Sequence, residues 1–232
     1  MRAVLFDLDG TLLDLNLRDF LRRYFAALEV AASPLVAHDG AAAAALMEGM
    51  NAAVGAMMES HPGRTNQDVF YERMRELTGV DLDEHWHIFE QFYAEVFPTL
   101  QDTARPAPGG RAAITTALDL GLAVAVATNP IFPAAAIRHR IEWAGLGDLD
   151  LPVVTTYESM HACKPHGEYY RQIARLLDVQ PHACLMVGDD RALDMPAADV
   201  GMRTYYVGND PAAACDMRGT LTELAELLPR LV

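Results

Sequence analysis

The sequence predicts an α/β fold, a parallel sheet covered by helices on both faces, with a block of helices inserted after the first strand. Three observations carry this. Short apolar runs at residues 3–8, 122–128, 151–155, 183–187 and 203–207 have the character of parallel strands buried on both faces. Helical stretches over 133–143, 167–177 and near 193–200 separate the later four, as βαβ units require. The gap between the first and second runs is too long for one crossover and carries no strand signal.

That gap reads as helices over residues 17–31, 40–59, 66–77 and 83–97. The breaks fall at Ser33-Pro34, at His61-Pro62-Gly63 and at Thr78-Gly79. Asp83 and Glu84 place negative charge at the start of the fourth helix, where the helix dipole favours it. The alanine run over 41–45 uses the best helix former. Met47, Met50, Met57 and Met58 read as packing residues. His85 and His87, two positions apart, fall on different sides of a helix and do not suit a metal. The expected division is a core of residues 1–15 and 102–232 and a helical domain of 16–101, hinged near 14–16 and the Pro-rich 104–108.

Composition narrows the function. The chain has 232 residues, 51% of them hydrophobic and 22% charged, which suits a globular protein with a substantial core. Its formal net charge of −14 argues against nucleic acid or anionic membrane as a partner, because phosphate backbones demand clustered cations. A small phosphorylated substrate stays open, since a bound divalent cation reverses the local field. Cys163, Cys184 and Cys215 are odd in number and lack metal-ligand spacing, so reduced thiols in a cytoplasmic protein are expected. Asp7 interrupts the N-terminal apolar run too early for a signal peptide, and no run approaches the roughly 18 apolar residues of a membrane helix. A monomer or a homodimer is expected.

Of the 18 basic residues, only Lys164 is lysine. A position that keeps lysine against an arginine background is a candidate for chemistry that a fork-shaped guanidinium cannot do; chance is the alternative.

Four segments carry candidate chemistry. In Asp7-Leu8-Asp9-Gly10-Thr11, at the end of the first strand, Gly10 permits a tight turn that brings both carboxylates to the crevice. Two carboxylates so spaced can divide the work of nucleophile and general acid/base. Alone, such a pair is as often a polar loop. Thr128-Asn129 ends the second run with a hydroxyl and an amide suited to phosphoryl oxygens. Lys164-Pro165 precedes a helix and offers a compact ammonium. Gly188-Asp189-Asp190, followed by Asp194, supplies hard oxygen donors of the kind magnesium prefers.

Together and in this order, the four segments resemble the four motifs of the haloacid dehalogenase superfamily, over essentially the whole chain. The resemblance implies a Rossmann-like core with an inserted α-helical cap domain, and a magnesium-dependent phosphatase acting on a small phosphorylated metabolite. It assigns Asp7 as the nucleophile that forms an aspartyl-phosphate and Asp9 as general acid/base. Mg2+ is then held by Asp7, the Asp9 backbone carbonyl and Asp189. The phosphoryl group is bound by Thr128, Asn129, Lys164 and the backbone around Gly10 and Thr11. Asp194 then sits near or behind the metal and holds Lys164, with Asp190 a further candidate for that part; the fourth segment fits both family spellings, Gly-Asp-x-x-x-x-Asp and Gly-Asp-Asp-x-x-x-Asp, so the division between these two carboxylates is open.

Other readings remain. Dehalogenases of this superfamily characteristically lack the second aspartate of the first motif, which Asp9 supplies here. Phosphonatases need a lysine from the cap, and the helical block has none. A sugar phosphomutase shares all four motifs, and a non-catalytic phosphate-binding protein is a further class. A covered site favours sugar phosphates, phosphoglycolate, nucleoside monophosphates or flavin mononucleotide. Asn16, Arg18 and Arg22 are candidates for a distal anion of the substrate, although a solvated helix face is the commoner use of such residues.

Overall fold

The computed structural model describes residues 1–36 and 40–232. Strand β1 (Ala3–Phe6) leads through a tight turn into a short strand β2 (Leu13–Leu15). Helices α1 (Leu17–Ala32), α2 (Gly40–Met58), α3 (Asn66–Thr78) and α4 (Leu82–Gln91) follow, and the chain returns through β3 (Ala104–Pro106). The remainder runs α5 (Gly110–Asp119), β4 (Ala123–Val126), α6 (Ala134–Trp143), β5 (Val153–Val154), α7 (Gly167–Leu176), β6 (Cys184–Gly188), β7 (Arg203–Tyr206), β8 (Met217–Arg218) and α8 (Leu221–Leu227).

The main sheet has six strands in the order β5-β4-β1-β6-β7-β8, and every pairing is parallel. β1 lies between β4 and β6, with Phe6 in register with Val126 on one side and Val187 on the other. The chain leaves β1 to one side and later returns to the other, so the crevice at the carboxyl end of β1 is the switch point where such sheets bind ligands. All four β1 residues are buried, because helices cover both faces. Val4, Phe6, Val124, Val126, Leu185 and Val187 pack with α5, α6 and α8. Ala3, Leu5, Ala125 and Met186 pack with Tyr169, Tyr170 and Ile173 of α7 on the other face. Burying a side chain such as Phe6 contributes about 1.5–3 kcal/mol.

The helical block leaves and re-enters at a small antiparallel ribbon, where Leu13 pairs with Pro106 and Leu15 with Ala104. The two segments expected to be hinges are thus hydrogen-bonded to each other. α1 begins after Asn16, whose side-chain oxygen accepts the Asp19 N–H at 3.2 Å. α3 carries a reciprocal capping box between Thr65 and Asp68. α4 starts at Leu82 rather than 83, because Asp81 takes the capping position and accepts the Asp83 N–H at 3.0 Å. α4 also ends earlier than its pattern predicts. Pro98 has no N–H to give an α-helix, and the chain widens into a π turn over Phe92–Val96 before tightening into a 3-10 segment over Phe97–Thr103.

α2 departs from the expectation that no segment could cross a membrane: its 19 residues, with a hydropathy of 1.2, pass that test by length and composition. Its alanines, small but counted as apolar, and the lone charge of Glu48 account for this. Here Leu46, Met50, Ala53 and Met57 belong to the same apolar cluster as Phe20 and Tyr24 of α1.

Candidate active site

The turn after β1 is built around Gly10, whose φ of +89° lies in the left-handed region. A Cβ there would stand 2.3 Å from Asp189 Oδ2, so the position needs glycine for space as well. Thr11 donates its hydroxyl to Asp189 Oδ1 at 3.0 Å. The Gly10 and Thr11 N–H groups are spent on the Leu13 and Leu8 carbonyls. Neither residue lines the cavity beside Asp7; both border the next one, of about 530 Å³. Thr11 thus holds Asp189 and Gly10 leaves room for it.

The cavity at the carboxyl end of β1 measures about 330 Å³ and is lined by Asp7, Asp9, Thr128, Asn129, Lys164, Asp189, Asp190 and Asp194. Parallel register explains the convergence, since Asp7, Thr128 and Asp189 each lie one or two residues past a paired strand end. The Thr128 carbonyl is fixed by the hydroxyls of Thr155 at 2.6 Å and Tyr169 at 2.8 Å. Asn129 accepts the Lys164 N–H at 3.1 Å and thereby ties the second segment to the third. The Lys164–Pro165 peptide is cis.

Lys164 is 1% exposed, and its ammonium donates to Asp7 Oδ1 and to Asp194 Oδ1, both at 2.6 Å. Burial works against its charge, but Asp194 and Asp7 outweigh that and hold the ammonium well above the ordinary lysine value. Asp194 spends its other oxygen on the Asp190 N–H at 3.0 Å. Gly188 leaves room for it, since a Cβ there would meet Asp194 Oδ2 at 2.1 Å. Asp190 instead accepts the N–H groups of Ala192 and Leu193, at 2.7 and 3.1 Å, and shapes its own loop. Of the two carboxylates whose division was open, Asp194 is the one that touches Lys164.

Carboxylate oxygens of Asp7, Asp189 and Asp194 lie within 4.8 Å of one another. Burial and then the Asp7 charge push the Asp189 carboxyl up to about 6. Three carboxylates face one ammonium, so the cluster is short of positive charge. The donors are hard carboxylate oxygens grouped about one point, which fits a magnesium ion.

Asp9 holds a relationship the sequence reading missed. Arg140, 1% exposed on α6, donates from Nη1 to Asp9 Oδ2. Its guanidinium lies 4.4 Å from the centre of the Phe132 ring. Arg140 Nε and Nη2 and Asp9 Oδ1 are buried without partners among the described residues. Burial raises the Asp9 carboxyl and Arg140 draws it down, with a net rise. The signal was legible in principle: Arg140 shares the buried stripe of α6 with Ala136, Ile137 and Ile141, where a charge needs a partner.

Asn16, Arg18 and Arg22 do not line this cavity. Asn16 caps α1, and Arg22 pairs with Asp19 at 2.5 Å on an exposed face.

A family model described as haloacid dehalogenase-like hydrolase matches residues 1–200. The chain is 30% identical to a phosphoglycolate phosphatase of Mesorhizobium japonicum over 242 residues, 98% of this chain and 96% of that protein. With two other curated relatives the match spans only 61% and 55% of their length. One of them, the haloacid dehalogenase-like hydrolase domain-containing protein 3 of Xenopus laevis, is 32% identical over 142 residues, 60% of this chain. Among solved structures, a HAD phosphatase from Thermococcus onnurineus superposes with a TM-score of 0.61 at 22% identity, covering 98% of each chain.

Proposed function

The chain belongs to the haloacid dehalogenase-like hydrolases, and from that premise we propose that it is a magnesium-dependent phosphatase that hydrolyses a small phosphomonoester through an aspartyl-phosphate on Asp7. The observation that carries this reading is the placement of Lys164 between Asp7 and Asp194 beside a second carboxylate, Asp9, in one cavity.

Asp7 has one oxygen on Lys164, and the other has no hydrogen-bond partner among the described residues and is the attacking atom. It forms the O–P bond as the bond from phosphorus to the leaving oxygen breaks. Protonated Asp9 gives its proton to that leaving oxygen, releasing the alcohol. Asp9, now a carboxylate, takes a proton from water as the water oxygen attacks phosphorus, and the acyl phosphate breaks to return Asp7 and free phosphate. Lys164 and the Thr128 hydroxyl hold the transferring group in line, where fixed positive charge acts without reorganisation. Asp7, Asp189 and the Asp9 carbonyl would hold Mg2+, which when bound neutralises charge on the phosphoryl oxygens.

We read residues 16–101 as the cap over the core formed by 1–15 and 102–232, and place the protein in the cytoplasm, where free Cys163, Cys184 and Cys215 stay reduced. The test is phosphate release from a panel of phosphomonoesters with and without magnesium, with Asp7→Asn as the blank. Magnesium-dependent release that the blank lacks is expected. Interconversion of glucose phosphates without net phosphate release would instead mark a mutase.

A further inference from the structure

The lining of the catalytic cavity is of two kinds. Besides its carboxylates and Lys164 it includes Leu17, Leu21, Ile131, Phe132 and Leu193. Leu21, Ile131 and Phe132 also line an adjoining cavity of about 120 Å³, whose other lining residues include Tyr24, Phe25, Val54, Trp86 and Phe89 of the helical block. No charged side chain lines this second cavity among the described residues. Tyr157, 3% exposed, also lines it, with its ring edge-on to Tyr71.

The direction of the substrate follows from Asp9. The group that protonates the leaving oxygen faces the alcohol side of the ester. Asp9 is paired with Arg140, and Phe132 covers that guanidinium. A phosphoryl group on Asp7 and Lys164 with its leaving oxygen toward Asp9 therefore presents the alcohol to Phe132, the gate residue of the aromatic cavity.

Charge points the same way. Lys164 is the only cation lining either cavity among the described residues, and two carboxylates already hold it. Arg140 is buried against Asp9. A second anion on the substrate meets no partner here, and desolvating an unpaired charge is costly.

We propose, resting on the phosphatase reading above, that the substrate is a monophosphate ester of an uncharged alcohol bearing a flat ring, seated among Phe132, Trp86 and Phe89. An apolar cavity of this order holds one benzene-sized ring.

The test compares kcat/KM for benzyl phosphate, methyl phosphate, phosphoglycolate and glucose 6-phosphate in the wild-type protein with magnesium, with Asp7→Asn as blank. Burial of one ring predicts a preference of about 10- to 100-fold for benzyl over methyl phosphate, with phosphoglycolate below benzyl phosphate. Val54→Phe, which fills the cavity from α2, is expected to collapse the benzyl-to-methyl ratio toward one. Efficient hydrolysis of phosphoglycolate or glucose 6-phosphate with no benzyl preference overturns the ring pocket and leaves the phosphatase standing. Absence of phosphate release from every ester overturns the phosphatase reading and this proposal with it. The wild-type ratio decides even where Val54→Phe fails to fold.

Discussion

Arg140 donates to Asp9 from beneath the ring of Phe132, so the second carboxylate of the first segment is held by a residue 131 positions later in the chain. An ammonium holds the first carboxylate and a guanidinium the second. Lys164 fits between two carboxylate oxygens at 2.6 Å each. The flat Arg140 fork stacks on an aromatic face, a use that lysine serves less well.

Arg140→Met removes the partner of Asp9 while keeping bulk against Phe132. Because Arg140 acts through Asp9, the loss depends on how much protonation the leaving group needs. We expect kcat on an alkyl phosphate to fall about 10- to 100-fold, a fraction of the general-acid contribution, with much less change on p-nitrophenyl phosphate, whose leaving group departs without a proton. Equal losses on both esters would assign Arg140 a purely structural part. Arg140→Lys, which keeps the charge, is expected to recover part of the activity.

Lys164→Arg keeps the charge but brings a planar fork to a space that fits a point donor, and is expected to lower kcat roughly 100-fold or more. Lys164→Met leaves Asp7 and Asp194 buried and unpaired, with an expected stability loss of about 3–5 kcal/mol, measured by urea unfolding. A Lys164→Arg enzyme with wild-type kcat would make the solitary lysine an accident of composition.

Gly10→Ala meets two obstacles. Its left-handed backbone costs an alanine about 1–2 kcal/mol, and the new methyl would press on Asp189 Oδ2 at 2.3 Å. We expect lower stability and also weaker magnesium binding by calorimetric titration, because Asp189 must move. Unchanged magnesium affinity would separate Asp189 from the metal.

Burial pushes the thiol of Cys163 up to about 12 and that of Cys184 up to about 11. Thiolate is the reactive form. In native protein at pH 8 a thiol reagent is expected to titrate half-buried Cys215 alone, the others reacting only after unfolding. Rapid reaction of all three in native protein would contradict the burial described for Cys163 and Cys184.

The parts legible in the sequence share a physical cause. β1, β4 and β6 are central parallel strands, apolar throughout because both faces are covered; their runs differ from the observed strands by a residue or two. The ribbon β2–β3 was not legible. It is three residues a side, includes Pro106, and pairs exposed Asp14 with Arg105, so no alternating apolar pattern marks it. Two-residue β8 left no pattern either. The segment near 193–200 forms only a 3-10 turn from Met195, where Pro196 follows. Asp7, Lys164, Asp189 and Asp194 could be named because each lies beside a strand end or helix start. Arg140 could not be paired with Asp9, since a contact across 131 positions depends on how α6 packs beside β1.

Covalent catalysis by Asp7 is tested by the mass of the protein quenched in acid during turnover of a phosphomonoester with magnesium, followed by peptide mapping. One added phosphoryl group is expected on the peptide containing Asp7, absent in Asp7→Asn and without magnesium. Turnover with no phosphoryl group on the protein, or with the group on another residue, would contradict it.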